Sequence, residues 1–284
     1  MDYHTVASQV AEGVWTAEHL GTANALNPDE NRQLWVSIMH RASQFSPNAE
    51  EAQKCPLNSP TAFNVRRNAL VFVSGIVNGE NPNPLWLARY AEGARRFEES
   101  KIEGRLSFGK VVEAKEDIVM RGTSSAVDLV IAPRAAAEKM FTRLGMLPLS
   151  RDVRMLAGYE QAYWLGLDGK FGEAHAMYTQ YARDCAGDNL GQVVFQMQAV
   201  KAGLDGKLPN AVLLLVGTYT ISLSILQANR TDPLAKQWME QTMPAHIDLA
   251  VAMDASLAET AKRLKANILL AREGKLAVPQ VAGM

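Results

Sequence analysis

Apolar residues recur at three- and four-residue spacing along most of the chain, the period that places them on one side of an α-helix. Leu34, Trp35, Ile38, Met39, Ala42 and Phe45 form one such stripe, and Trp86, Tyr90, Ala94 and Phe97 form another. Each follows a start signal. Asn27-Pro28-Asp29-Glu30 and Asn83-Pro84 set a capping side chain before a proline, whose missing N–H is no loss at the first helical position. Ser59-Pro60 repeats the device ahead of Phe63, Leu70, Val71, Val73 and Ile76. Residues 2–22 predict a helix with Val6, Val10, Val14 and Trp15 turned inward. Pro133 opens a helix through Met140, Phe141 and Leu144 to Gly145. Asp232-Pro233 opens a short helix, and Pro244 opens a long one running to Glu273-Gly274-Lys275.

The stretch from Ser46 to Pro60 is polar and proline-bearing, the pattern of a surface loop or linker. Within 105–132 the period is ambiguous. Leu106, Phe108, Val111 and Val112, then Val127, Leu129, Val130 and Ile131, fit either helix or a small β-hairpin. The pattern predicts an all-α protein of about ten or eleven helices, stacked as helical hairpins in a short solenoid or an irregular bundle. A boundary at Met146-Leu147-Pro148-Leu149 would divide it into an N-terminal helical region, 1–148, and a helical-repeat region, 149–284; a single domain is the alternative.

The repeat is visible as identity. Gly166-Leu167-Asp168-Gly169-Lys170 returns 37 positions later as Gly203-Leu204-Asp205-Gly206-Lys207. Ala162 and Ala199 lie four residues before each copy, and Ala174 and Ala211 four residues after it. Periods of this length belong to helical repeat arrays. In the first copy Val153, Leu156, Ala157, Tyr163, Trp164 and Leu167 form a helical stripe, with Ser150 as its cap. Gly169 stands where a left-handed turn ends the helix, and Phe171, Ala174, Tyr178, Tyr181, Ala182 and Cys185 begin a second, antiparallel helix.

Ala162, Gly169, Ala174 and Tyr178 resemble the small–Gly–Ala–aromatic skeleton of a tetratricopeptide repeat; the second copy carries Ala199, Gly206, Ala211 and Leu215. The resemblance spans about 70 of 284 residues. Gln161 and Gln198 replace the usual leucine, and no proline closes either copy. It implies a concave groove lined by the first helix of each unit, with Leu156, Tyr159 and Tyr163 from one and Val193, Gln196 and Val200 from the next. The plainer reading of these six is packing between helices.

Composition narrows the class. At 48% hydrophobic and 21% charged residues the chain can build a sizeable core, and a net charge of −1 gives no long-range pull toward nucleic acid or anionic lipid. The start, MDYHTVASQVAEG, lacks the basic and apolar run of a signal peptide, and Cys55 and Cys185 offer no disulfide framework, so a cytoplasmic location is expected. Ala211 to Ala228 is uncharged for 18 residues, but Gly217, Thr218, Tyr219, Thr220, Ser222, Ser224 and Gln227 dilute it. A buried central helix is expected there rather than a membrane span.

Motifs for chemistry are sparse. Gly104-Arg105-Leu106-Ser107-Phe108-Gly109-Lys110 matches a phosphate-loop spacing, but Val111 stands where Ser or Thr must hold Mg²⁺, and no apolar strand precedes it. His4, His19, His40, His175 and His246 form no metal-ligand spacing, and neither metal nor cofactor is expected. Glu160 falls in the middle of the apolar stripe made by Val153, Leu156, Ala157, Trp164 and Leu167. A carboxylate so placed must find a partner, stay wet, or take up a proton. Pairing with a group from another helix is the expected answer, and a buried catalytic acid is the alternative. Residues 60–155 hold 15 Lys/Arg against 11 Asp/Glu. Arg66, Arg67, Arg89, Arg95, Arg96, Arg105 and Lys110 could form a nucleic-acid surface, but interspersed Glu98, Glu99 and Glu103 also suit a solvated mixed-charge face.

The expectation is a non-catalytic interaction protein, an adaptor or structural subunit with a protein partner or self-assembly and no membrane. A nucleic-acid-binding subunit is the first alternative, and an all-α enzyme with a buried acid is the second.

Overall fold

The computed structural model describes residues 2–44, 60–102, 131–185 and 188–277, and every regular element among them is helical. The protein is all-α. Two compact units divide it, residues 1–160 and 161–284. The division falls inside one helix, Arg151–Leu167, rather than at the 148/149 join.

In the first unit, α1 (Tyr3–Glu12) starts at Asp2, whose carboxylate accepts from the His4 N–H at 3.1 Å, and stops at Gly13, whose φ of 77° only glycine adopts freely. The single helix expected over 2–22 is therefore two, with α2 spanning Ala17–Asn24, and Val14 in the break is 60% exposed instead of inward. α3 (Pro28–Gln44) opens on a reciprocal cap: Asn27 Oδ1 accepts from Glu30 N at 3.0 Å, and Glu30 Oε2 accepts from Asn27 N at 3.1 Å. Next come α4 (Pro60–Val77), α5 (Pro84–Ile102) and α6 (Pro133–Gly145), with α6 packed on α5. Asn83 caps α5 and also donates to the Asn24 and Leu26 carbonyls, tying the start of α5 to the end of α2. The core centres on Trp86, with Phe72 and Trp35 set edge-on to it and Leu34 and Ile38 wholly buried.

α7 (Arg151–Leu167) leads into the second unit, where α8 (Phe171–Asp184) packs against α9 (Asn189–Asp205) and α9 against α10 (Ala211–Ala228). The two pentapeptides turn differently. Gly169 takes the left-handed conformation, φ 71°, as expected. Gly206 does not, at φ −81°; the left-handed residues are Lys207 and Asn210. Gly206 is required by proximity instead, since a Cβ there would lie 2.5 Å from Phe171 Cβ.

Beyond α10, α11 (Pro233–Gln237) runs into a π-helical turn, Trp238–Thr242, and then α12 (Met243–Met253). Pro244 supplies no N–H to the preceding turn, which accounts for the local widening. The long helix expected from Pro244 to Glu273 is interrupted at Asp254, whose side chain caps Ser256 N at 2.9 Å, and resumes as α13 (Ala258–Arg272). One continuous core joins α9, α10, α12 and α13 through Met197, Leu204, Leu215, Tyr219, Leu226, Trp238, Ile247 and Ile268.

α10 corrects an expectation. It is long and apolar enough to cross a membrane, but only 33% of it is buried within the protein. Ala211, Leu215, Tyr219, Leu223 and Leu226 enter the core, while Leu213 is 70% exposed, Ile221 65% and Leu214 43%. The described chain packs helices against one side of α10 and leaves its other side open, so it is not a fully buried central helix.

Candidate functional site

Glu160 finds its partner where the wheel demanded one. α5 carries Arg95 at its inner side, and the Arg95 guanidinium donates from Nε to Glu160 Oε2 at 2.6 Å and from Nη2 to Oε1 at 3.2 Å. Both carboxyl oxygens accept, the arrangement of an ionised carboxylate held bidentately. Arg95 also donates to Glu99 at 2.8 Å, one helical turn on. Beside them Glu92, itself buried, accepts from Arg89 at 2.9 Å and from Arg96 at 3.0 Å.

Burial raises the Glu160 carboxyl above the ordinary glutamate value, against the pull of Arg95. Burial also works against Glu92, but Arg89 and Arg96 outweigh it and hold that carboxyl low. Arg95 is held above its usual value, because Glu160 overcomes the penalty of burying the guanidinium. Tyr159 is pushed up to about 12, mainly by burial and further by the Glu160 charge. The cluster therefore balances its own charge inside the unit, and Glu160 is committed to Arg95 rather than poised as a free acid.

The same geometry relocates the candidate nucleic-acid residues. Arg95 is 7% exposed and turned inward, so it is not available to a phosphate. Arg89 is held by Glu92 and lies 5.9 Å from the Trp35 ring centroid. Arg96 is half exposed but bonded to Glu92. Arg67 donates to Asn68, at 3.4 Å. Arg66 falls within α4. Arg105 and Lys110, together with the phosphate-loop match, lie outside the described residues, and of the candidate hairpin stretch only Ile131 and Ala132 are described.

The six groove candidates do not share one role. Val193 and Val200 belong to the core of the second unit, 0% and 2% exposed. Leu156 and Tyr159, on α7, are half-buried. Tyr163 lines a cleft of about 170 Å³ with Phe171, Tyr178, Gln198 and Lys201. Gln196, with Val200 beneath it, lines another of about 230 Å³.

This second cleft has an order the sequence reading missed. Its walls are His175, Thr179 and Arg183 on α8, Gln192 and Gln196 on α9, and Leu214 and Thr218 on α10. Within each helix these residues stand four apart, so each helix presents one row along the groove. His175 Nδ1 donates to the Ala199 carbonyl at 2.8 Å, which fixes the orientation of the ring. The side chains of Arg183, Gln192 and Gln196 take no partner among the described residues. The signal lay in the sequence as a polar row on α8, His175, Thr179 and Arg183 at four-residue spacing.

Deeper in the unit, Tyr219 and His246 meet at 2.6 Å, O to Nδ1, with Trp238 edge-on to the imidazole. Burial lowers His246 to about 4, aided by Lys201 and opposed by Asp205, and burial pushes the Tyr219 hydroxyl up. A neutral imidazole accepting from the tyrosine satisfies both groups. Among the described residues no group of three or more His, Cys, Asp or Glu side chains is placed to hold a metal ion.

No protein-family model, no curated protein and no solved structure matches this chain.

Proposed function

We propose that this is a non-catalytic protein–protein interaction protein, an adaptor or structural subunit, whose tetratricopeptide-like helical-repeat surface in the second unit receives a segment of a partner. The observation that carries the reading is the cleft between α8, α9 and α10, with its parallel rows of side chains and with Gln192, Gln196 and Arg183, which take no partner among the described residues. Glutamine amides offer both a donor and an acceptor, which suits an extended backbone or the polar edge of a helix. The same protein contains an instance: Gln227 bonds both the N–H and the C=O of Leu276, at 2.8 and 3.1 Å. The buried charge cluster supports the non-catalytic part of the proposal, since each of its carboxylates is engaged by arginine.

The test is native purification from the source cell with and without nuclease. A stoichiometric protein partner that survives nuclease supports the proposal. A partner set that disappears with nuclease would replace it with a nucleic-acid role, and recovery of the chain alone would count against both.

A further inference from the structure

The cleft between α8, α9 and α10 is basic at one end and apolar at the other. Resting on the interaction reading above, we infer that the partner segment it takes is extended and acidic, with an Asp or Glu on Arg183 and an apolar residue four positions away against Val200 and Leu214.

The levels of the cleft come first. His175 bonds the Ala199 carbonyl, and a Cβ on Gly203 would lie 3.4 Å from the Ala211 Cβ. Helices that turn back over so few residues run antiparallel, and their lining residues fall into three levels. His175, Val200 and Leu214 share the first, Thr179, Gln196 and Thr218 the second, and Arg183 and Gln192 the third. Val200 is buried at the first level, and Leu214 is 43% exposed there.

The cleft does not balance the charge at its third level. Among the described residues that line it, Arg183 is the sole Lys or Arg, and there is no Asp or Glu. Arg183 is exposed and takes no partner among the described residues. The acids of these helices are placed elsewhere. Glu173 and Asp184 stand more than a quarter-turn from the centre of the α8 row. Asp205 is held by Lys201, and Asp188 caps Gly191 N at 2.9 Å. α10 has no charged residue. A guanidinium left uncompensated at one end of a cleft favours a carboxylate, which it can hold bidentately.

Size favours an extended chain. A length of roughly 12 Å of helix, roughly 10 Å across, fills roughly 900 Å³, whereas the cleft holds about 230 Å³. An extended backbone also meets the Gln192 and Gln196 amides with its N–H and C=O groups, as Leu276 meets Gln227. From His175 to Arg183 α8 rises roughly 12 Å, which an extended chain spans in about four residues. Side chains four apart lie on the same side of a strand, so one segment can present both the acid and the apolar group.

Peptide display on the full chain tests it. Random twelve-residue peptides are selected on wild type, and the consensus is synthesised and measured by fluorescence polarisation. The expected consensus sets Asp or Glu four positions from Leu, Ile, Val, Met or Phe. Arg183→Glu should weaken its binding at least tenfold, and changing the peptide's acid to lysine should restore most of that loss on the variant. The variant should match wild type in circular dichroism, since Arg183 is exposed. A consensus without an acid, or one whose affinity falls with Gln192→Ala and Gln196→Ala but not with Arg183→Glu, would overturn the acidic partner and leave the cleft reading standing. A consensus indifferent to all three substitutions, or no selected peptide, would overturn both.

Discussion

His246 makes the second unit sensitive to acid, and the size of the effect follows from its burial. In the unfolded chain its imidazole titrates near the ordinary value of 6.5, whereas the fold lowers it to about 4. Its neutral form is the one that accepts the Tyr219 hydroxyl, at 2.6 Å. Between those two values the unfolded chain binds a proton that the folded chain does not, so stability falls as pH drops from about 6.5 to about 4 and is level above that window. A gap of this size corresponds to roughly 3 kcal/mol at 1.36 kcal/mol per unit, a large part of the total stability of a typical domain. Most of that loss is reached by about pH 4.5. The perturbation is His246→Gln, which keeps an acceptor for Tyr219 and removes the titration. Urea unfolding followed by tryptophan fluorescence at several pH values between 7.5 and 4.5 reads the effect. Wild type is expected to lose roughly 2–3 kcal/mol more than the variant across this range. Equal losses in the two proteins would refute the reasoning, because the imidazole would then not be held neutral by the fold.

Glu160→Ala leaves the buried Arg95 guanidinium short of its main acceptor and should destabilise the first unit by about 3–5 kcal/mol, whereas Arg95→Leu with Glu160→Leu should come within about 1 kcal/mol of wild type; thermal unfolding of the single and double variants would show additivity if the pair were not coupled. Lowering pH acts on the two buried glutamates with opposite sign. Glu92, held low, loses stabilisation as pH falls below the ordinary glutamate value, while Glu160, held high, gains protonated form before it reaches that value; Glu92→Gln should therefore blunt acid unfolding where Glu160→Gln does not. The matching glycines of the repeat should also respond differently. Gly169→Asn is expected to cost under about 1 kcal/mol, because asparagine tolerates a left-handed backbone. Gly206→Asn should cost about 1–3 kcal/mol, because its Cβ would meet Phe171; equal costs in denaturant titrations would contradict this account of the turns.

Helix starts were legible because capping is local: Asn27 and Glu30, or Asn83 and Pro84, act within one turn of each other. The breaks were harder to read. Gly13 ends α1 through its own φ, but a glycine in an apolar-periodic stretch can also continue a helix, and the apolar period runs straight through Asp254. Glu160 stood out as an anomaly on its wheel, yet Arg95 lies 65 positions away, and nothing local joins the two. The repeated pentapeptide announced paired helices and hid the fact that its second glycine serves contact rather than turn geometry. Val193 and Val200 are core residues, the plainer of the two readings, and Val200 also borders the cleft; helical spacing gives a face without saying which neighbour covers it. The open side of α10 was invisible for the same reason: an apolar helix reads as buried until the number of elements around it is known.

The most direct test of the interaction reading takes the partner that co-purifies through nuclease treatment and measures its affinity for wild type and for a Gln192→Ala, Gln196→Ala, Arg183→Ala triple variant. The three side chains have no described partner within the fold, so the variant should match wild type in far-UV circular dichroism and unfolding midpoint. A loss of tenfold or more in affinity, with the fold unchanged, is the predicted result. Affinity equal to wild type would contradict the placement of the partner in the cleft between α8, α9 and α10.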